Sequence, residues 1–153
     1  MTDSRREPAE IARAIIGSGL YLTLGTADAD GTPWAAPVYY AHDGYTRFFW
    51  VSKPDARHSA NIAVRPEVSI VIFDSGAPIG TGQAVYMSAT AAELEGDELD
   101  FGLELFSRRS ENHGAGSWAR EDVLAPARHR LYRATASEQF VLDEHDERVP
   151  VRW

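Results

Sequence analysis

The stretch WVSKPDARHSANI, residues 50–62, gathers Ser52, Lys53, Arg57, His58, Ser59 and Asn61 directly behind the apolar run Phe48, Phe49, Trp50 and Val51. As chemistry, these residue types make an anion cradle. A strand ends on a hydroxyl, and the helix start behind it offers free N–H groups and the positive end of its dipole. Arg57 can grip a phosphate through two parallel hydrogen bonds, Ser52 can donate its hydroxyl, and His58 adds a proton-dependent contact. The same residues also read as a solvated loop in which Asp55 simply caps a helix. Spacing alone leaves both readings open.

Two further groups of residues have chemical potential. In TPWAAPVYY the small Ala35 and Ala36 lie between Trp34 and Pro37, so a flat ring could approach the backbone and be read by its N–H and C=O groups. The competing reading is a core strand with an edge proline. Gln83, at the entry of a later strand, can hydrogen-bond a heterocycle or simply be solvated. The preceding loop, GAPIGTGQ, does not complete a dinucleotide fingerprint and opens no helix.

Other chemistries lack residues. There is no cysteine, which removes disulfides and thiolate catalysis. His42, His58, His113, His129 and His145 are scattered, without the helical i, i+4 pairing of a metal site, so no metal is expected. No Gly-x-Ser-x-Gly elbow supports a hydrolase, and the acid pairs Glu93/Glu95 and Glu144/Asp146 sit in segments that read as surface. No side chain identifies itself as catalytic. The formal charge of −8 opposes nucleic acid and anionic membranes as partners, and no segment has the roughly 20 apolar residues of a membrane span. The charged start MTDSRREPAEIARAIIGSG does not resemble a secretion signal, so the cytoplasm is the expected location.

The elements that must position these residues follow from pattern. PAEIARAIIG, with Pro8 in its first turn and Ile11, Ile15 and Ile16 on one face, predicts a helix. Strands over Leu20–Thr26 and Pro33–Ala41 flank a turn at Asp30-Gly31, and a second turn at Asp43-Gly44 leads into RFFWVS. A helix from Asp55, with Ala56, Ala60 and Ala63 or Val64 on one side, ends at Arg65-Pro66. EVSIVIFD is apolar on both faces and predicts a central strand buried on both sides. AVYMSATAAEL is another strand. GDELDFGLELFSRRSENHG then forms a helix with Leu99, Leu103 and Phe106 on one face, ending at Gly114 and Gly116. Trp118–Leu124 gives a further helical turn, HRLYRATASEQFVLD two strands around Ala136 and Ser137, and the tail a short last strand. The expectation is a single domain over residues 1–153 of the α+β class: six to eight antiparallel strands with flanking helices, as a barrel or sandwich.

From about Glu10 to Leu94 this order resembles the pyridoxamine 5′-phosphate oxidase-like family of FMN-binding split β-barrels. VSKPDARHSANIAVRPEVSIVIF carries the likeness most closely. The resemblance implies a homodimer with FMN at its interface, serving an oxidoreductase that takes small-molecule electron donors and acceptors. Ser52 and Arg57 would meet the FMN phosphate, and His58 stands where the family often has lysine, with Lys53 nearby as a substitute. Val51 would offer only an apolar or backbone contact. Trp34, Ala35, Ala36 and Pro37 would lie along the isoalloxazine edge, and Gln83 would reach the flavin from a partner subunit. Trp34, Tyr39, Trp50 and Trp118 are implied as interface or substrate-facing aromatics. The final EQFVLDEHDERVPVRW lacks the tryptophan signature and Arg-x-His element of the true oxidase, although Arg148 and Trp153 are present, so vitamin B6 oxidation is not expected. Deazaflavin or haem in the same fold is one alternative, and a non-catalytic flavin- or phosphate-binding stress protein is another.

Overall fold

The computed structural model describes residues 6–153. Helix α1 (Pro8–Ser18) precedes strands β1 (Tyr21–Ala27), β2 (Pro33–Tyr39), β3 (Ala41–Asp43) and β4 (Arg47–Ser52). Helix α2 (Arg57–Val64) then leads to β5 (Glu67–Phe73) and β6 (Ala84–Glu93), and α3 (Gly96–Asn112) to a 3-10 turn (Arg120–Val123), β7 (Arg130–Leu142) and β8 (Arg148–Pro150). All pairings are antiparallel, in the order β2-β1-β5-β6-β7-β4-β3 with β8 on β7. The sheet curls until β2 and β4 touch without hydrogen-bonding, which makes a barrel split along one seam. The expected α+β split barrel is therefore the observed fold. Among the described residues, no helix is long and apolar enough to cross a membrane.

Both predicted turns form where the chain needs a left-handed residue: Gly31 takes φ +86°, and Gly44 takes φ +61° with Tyr45 at +64° beside it. Asp28 Oδ1 accepts from the N–H groups of Asp30 and Thr32 and so fixes the first turn.

Alternation along the strands separates two cores. Phe48 and Trp50 point into the barrel with Leu22, Leu24, Ile70 and Val85, plugged by Ala12 and Ile16 of α1. Phe49 points the other way, under Leu99, Leu103 and Phe106 of α3. Burial on both faces thus belongs to β4, whose sequence is correspondingly RFFWVS. The same burial was expected for β5 and is not found there. β5 is interior to the sheet order, but only Val68, Ile70 and Ile72 are buried, while Ser69 and Phe73 face outward and are exposed.

The two strands expected around Ala136 and Ser137 are one long strand, β7. Its register with β6 runs Ser88↔Glu138 and then Ala89↔Ala136, leaving Ser137 as the extra residue of a β-bulge. The bulge bends β7 so that it serves β6, β4 and β8 without a break.

Candidate functional site

β4 delivers Ser52 to the barrel mouth, 7% exposed, with its Oγ 2.8 Å from His58 Nε2. Residues 53–56 make a turn closed by Ala56 N–H donating to Lys53 O at 3.1 Å. Helix α2 therefore starts one residue later than Asp55 as its cap would set it. Ala56 occupies the cap position, without a side-chain hydrogen bond, and Asp55 stays exposed in the turn. The shift also changes the buried face. Ser59, Asn61 and Ile62 point inward in place of the alanines, and Asn61 Nδ2 donates to Thr26 Oγ1 at 3.0 Å.

The first turn of α2 has an unusual charge pattern for a helix start. α1 carries Glu10 there and α3 carries Asp97 and Glu98, which offset the positive end of the dipole. α2 has no acid in that turn and opens on Arg57-His58. The N–H groups of residues 57–59 are free of any side-chain cap. Ser59 Oγ, 3% exposed, has no hydrogen-bond partner among the described residues, with Tyr132 beside it but outside hydrogen-bond geometry. Burial pulls the His58 pKa below its usual value, so the ring is neutral at neutral pH.

Arg57 is exposed, but its side chain is not without a partner. Its guanidinium carbon lies 4.1 Å from the centroid of the exposed Trp34 ring, on β2. Two residues that the sequence placed in separate motifs therefore form one cation–π pair. Arg65 ties the same neighbourhood from the other end of α2, donating to Asp28 O and Ala29 O at 3.0 Å each.

β2 is an edge strand, and its geometry fixes what its free side offers. Tyr40 N–H donates to Leu20 O and Asp28 N–H to Thr32 O. In this register the even-numbered residues of β2 bond β1, and Pro33, Ala35, Pro37 and Tyr39 turn their backbone groups to the open side. Two of those four are prolines, without an N–H to offer. What remains beside the small Ala35 and Ala36 is one N–H, at Ala35, between the carbonyls of Pro33 and Pro37.

The remaining predicted site residues divide. Lys53 is exposed in the turn before α2. Gln83 is engaged elsewhere: its Nε2 donates to Leu142 O at 2.6 Å, and its Oε1 accepts from Ala84 N–H and Leu142 N–H. It pins β6 to the end of β7 and brings no free group to the cradle of its own chain. Trp50 is fully buried, stacked on Tyr132, and so is a core residue rather than an interface aromatic.

Tyr39, Trp118 and Val51 meet in a place the sequence did not mark. Tyr21, Tyr39, Phe106, His113, Trp118 and His129 wall a chamber of about 540 Å³ between the end of α3 and the ends of β1, β2 and β4, with Val51 at its base. Inside it, Tyr39 Oη and His113 Nδ1 are 2.6 Å apart. Its walls come from five separate segments, so no local motif could have announced it. A second concavity is the outer face of β2-β1-β5-β6-β7, a broad depression floored by small residues such as Gly25, Ala35, Ser69, Ser88 and Ser137 and rimmed by Trp34.

Comparison with known proteins places this geometry. A search of curated proteins gave no match. A haem-binding protein from Mycobacterium smegmatis has a similar fold, with a TM-score of 0.75 and 22% identity over 96% of this chain and 58% of its own. HutZ, the haem storage protein of Vibrio cholerae, gives 0.67 and 19% over 89% of this chain and 95% of its own. An F420 reductase gives 0.59 and 19% over 83% and 94%. The present chain thus spans 58% of the length of the mycobacterial protein, and these likenesses concern the fold. The family model described as pyridoxamine 5′-phosphate oxidase matches residues 9–141, most of the 153-residue chain, and by that match the chain belongs to this family.

Proposed function

We propose that the chain is an FMN-dependent oxidoreductase acting as a homodimer, with the flavin phosphate on the first turn of α2. One observation carries this reading: α2 opens on Arg57-His58 with no acid in its first turn, and Arg57 is stacked on Trp34. Arg57 supplies the planar fork, Ser52 a hydroxyl, residues 57–59 their N–H groups, and Lys53 added charge from the turn. The orphaned Ser59 hydroxyl is the kind of buried polar atom that a bound anion or its water would satisfy. His58, neutral at rest, contributes a hydrogen bond in place of the charge a lysine would bring.

The isoalloxazine edge is assigned to the free side of β2. There Ala35 N–H donates, the Pro33, Ala35 and Pro37 carbonyls accept, Ala36 permits close approach, and Val51 adds an apolar contact. FMN, when bound, supplies hydride or electron transfer; the chain holds and orients it. Small molecules serve as electron donor and acceptor. The dimer is assigned to the outer sheet face, where Val71 and Phe73 give β5 an apolar outer side and the small-residue floor permits close packing. Trp34 lines that face and stacks on Arg57, which supports a cofactor at the edge of the interface.

The rival cofactors make different demands. Haem carries two carboxylates. His113 and His129 face one chamber, but no lysine or arginine lines it to meet them. Absorbance of the purified protein and the mass of its released cofactor test the reading. Paired flavin bands with the mass of FMN support it, a Soret band establishes haem, and a deazaflavin mass moves the chain to that cofactor. Reduction of the bound flavin by NAD(P)H, followed by reoxidation with an acceptor, supports turnover. Failure across a broad panel of donors favours a binding protein.

A further inference from the structure

The chamber at the end of α3 has walls of one chemical kind. Tyr39 meets Phe106 at 5.6 Å and His113 at 5.7 Å between ring centroids, Phe106 meets Trp118 at 6.1 Å, and Trp118 meets His129 at 5.8 Å, all edge to face. In each such contact the edge of one ring meets one face of the other, so at most one face per contact is covered and faces remain for a flat guest. Leu20 and Tyr21 stand at the margin 47% and 60% exposed, apolar surface that a guest would remove from water. The lining contains no Asp, Glu, Lys or Arg, in a chain of which 25% is charged. No charged side chain lines it to meet a charged guest, and Arg109, whose charge reaches Tyr39, is turned to Tyr40 O and Gly19 O.

One polar device is built into this wall. Tyr39 Oη and His113 Nδ1 share a hydrogen bond at 2.6 Å, and in either direction the pair keeps a donor: His113 Nε2–H when Tyr39 donates, the Tyr39 O–H when His113 does. Burial raises the Tyr39 pKa, which keeps its hydroxyl protonated in this role. His113 is the last residue of the α3 end. The loop beyond it turns through Gly114 (φ +73°) and Gly116 (φ +85°) and is fastened where Trp118 N–H donates to Ser107 Oγ at 2.8 Å. The chamber also adjoins the cradle through the backbone. Val51 lines the chamber and Ser52, next on β4, belongs to the cradle, while β2 carries Trp34 to the cradle and Tyr39 to the chamber.

We propose that this chamber is the substrate site, and that it takes a flat, uncharged heteroaromatic molecule bearing a hydrogen-bond acceptor that the Tyr39–His113 pair recognises. The assignment as substrate site rests on the cofactor reading above; the chemistry of the guest rests on the chamber alone. The test titrates the purified full chain, stripped and FMN-loaded, with quinoline, naphthalene and quinoline-2-carboxylate in neutral buffer, followed by calorimetry. Quinoline should bind about tenfold more tightly than either of the others, one for want of an acceptor and one for its charge. Tyr39→Phe should remove the preference for quinoline over naphthalene. Ala115→Phe, which fills the chamber from the exposed loop, should abolish quinoline binding and leave the Kd for FMN unchanged. The proposal is overturned if quinoline-2-carboxylate binds as well as quinoline, if Ala115→Phe is without effect, or if FMN displaces quinoline competitively. Loss of the cofactor reading would look different: FMN affinity indifferent to Arg57, with quinoline still sensitive to Ala115→Phe.

Discussion

Arg57→Ala separates an anion cradle from a decorated helix start. The guanidinium carbon lies 4.1 Å from the centroid of an exposed Trp34 ring. An exposed cation–π pair is worth ~0.5–1 kcal/mol, so the variant should fold and lose at most about that much stability. A hydrogen bond to a charged group is worth ~1.5–3 kcal/mol. Removing Arg57 from a bound phosphate should therefore raise the Kd for FMN by ~10- to ~150-fold. Stacking on Trp34 already restricts the side chain, so less ordering remains to oppose binding, and this favours the upper half of that range. Flavin fluorescence quenching measures the Kd, and riboflavin is the control because it keeps the ring and lacks the phosphate. Arg57→Ala should leave riboflavin affinity within about twofold, and Arg57→Lys should recover part of the FMN loss, since it restores charge without the fork. Equal weakening of FMN and riboflavin would refute the phosphate assignment. An unchanged FMN affinity in a folded variant would remove Arg57 from the site.

Three other perturbations test the frame around the cradle. Gly102→Ala would gain about 1 kcal/mol in helix propensity elsewhere, but here its Cβ would lie 2.8 Å from two ring carbons of the fully buried Phe49 and 3.2 Å from Leu131. Overpacking at ~1–3 kcal/mol should win, and a higher urea midpoint would contradict that. Burial lowers the pKa of both His42 and His58, with Arg109 also acting on His42 and Asp43 opposing. The unfolded chain then binds protons first, so stability should be full above 6.5 and fall as pH drops below it toward the folded-state values. Urea midpoints across that range should flatten in a His42→Gln/His58→Gln double variant; an identical slope would place the titration elsewhere. Ser69→Arg, in the middle of the exposed outer face, should convert a dimer to a monomer by light scattering without unfolding it, and a persistent dimer would move the interface to another surface.

Legibility in the sequence followed the range of the forces involved. The two Asp-Gly turns were local, and so was the Leu99, Leu103 and Phe106 face of α3; all were readable. The double burial of β4 and the single burial of β5 were not, because both runs are apolar and only the position of α3 decides which outer face is covered. Asp55 has the chemistry of a cap, yet the turn closed by Ala56 and Lys53 moves the helix start past it. Within the site, Ser52, Arg57 and His58 were visible as one segment, whereas the contact of Arg57 with Trp34 and the walls of the aromatic chamber required the barrel to bring distant segments together.

Two local rules are broken at the same place, and their coincidence is informative. A helix that opens on Arg57-His58 forgoes ~0.5–2 kcal/mol of side-chain capping, as α1 and α3 also do, and unlike them sets a cation, Arg57, against the positive end of its own dipole. The neighbouring edge strand carries prolines at both positions flanking the one free N–H beside its alanines. Each feature alone has a structural account, since Pro protects an edge and a turn displaces a cap. Yet α2 and β2 meet through Arg57 and Trp34, so the uncapped N–H groups, the cation and the bare strand edge are neighbours. An anion would relieve both defects of the helix start, and a flat ring attached to that anion would find the one donor left beside the alanines. A phosphorylated heterocycle satisfies the three together, which a free phosphate or a free ring would not.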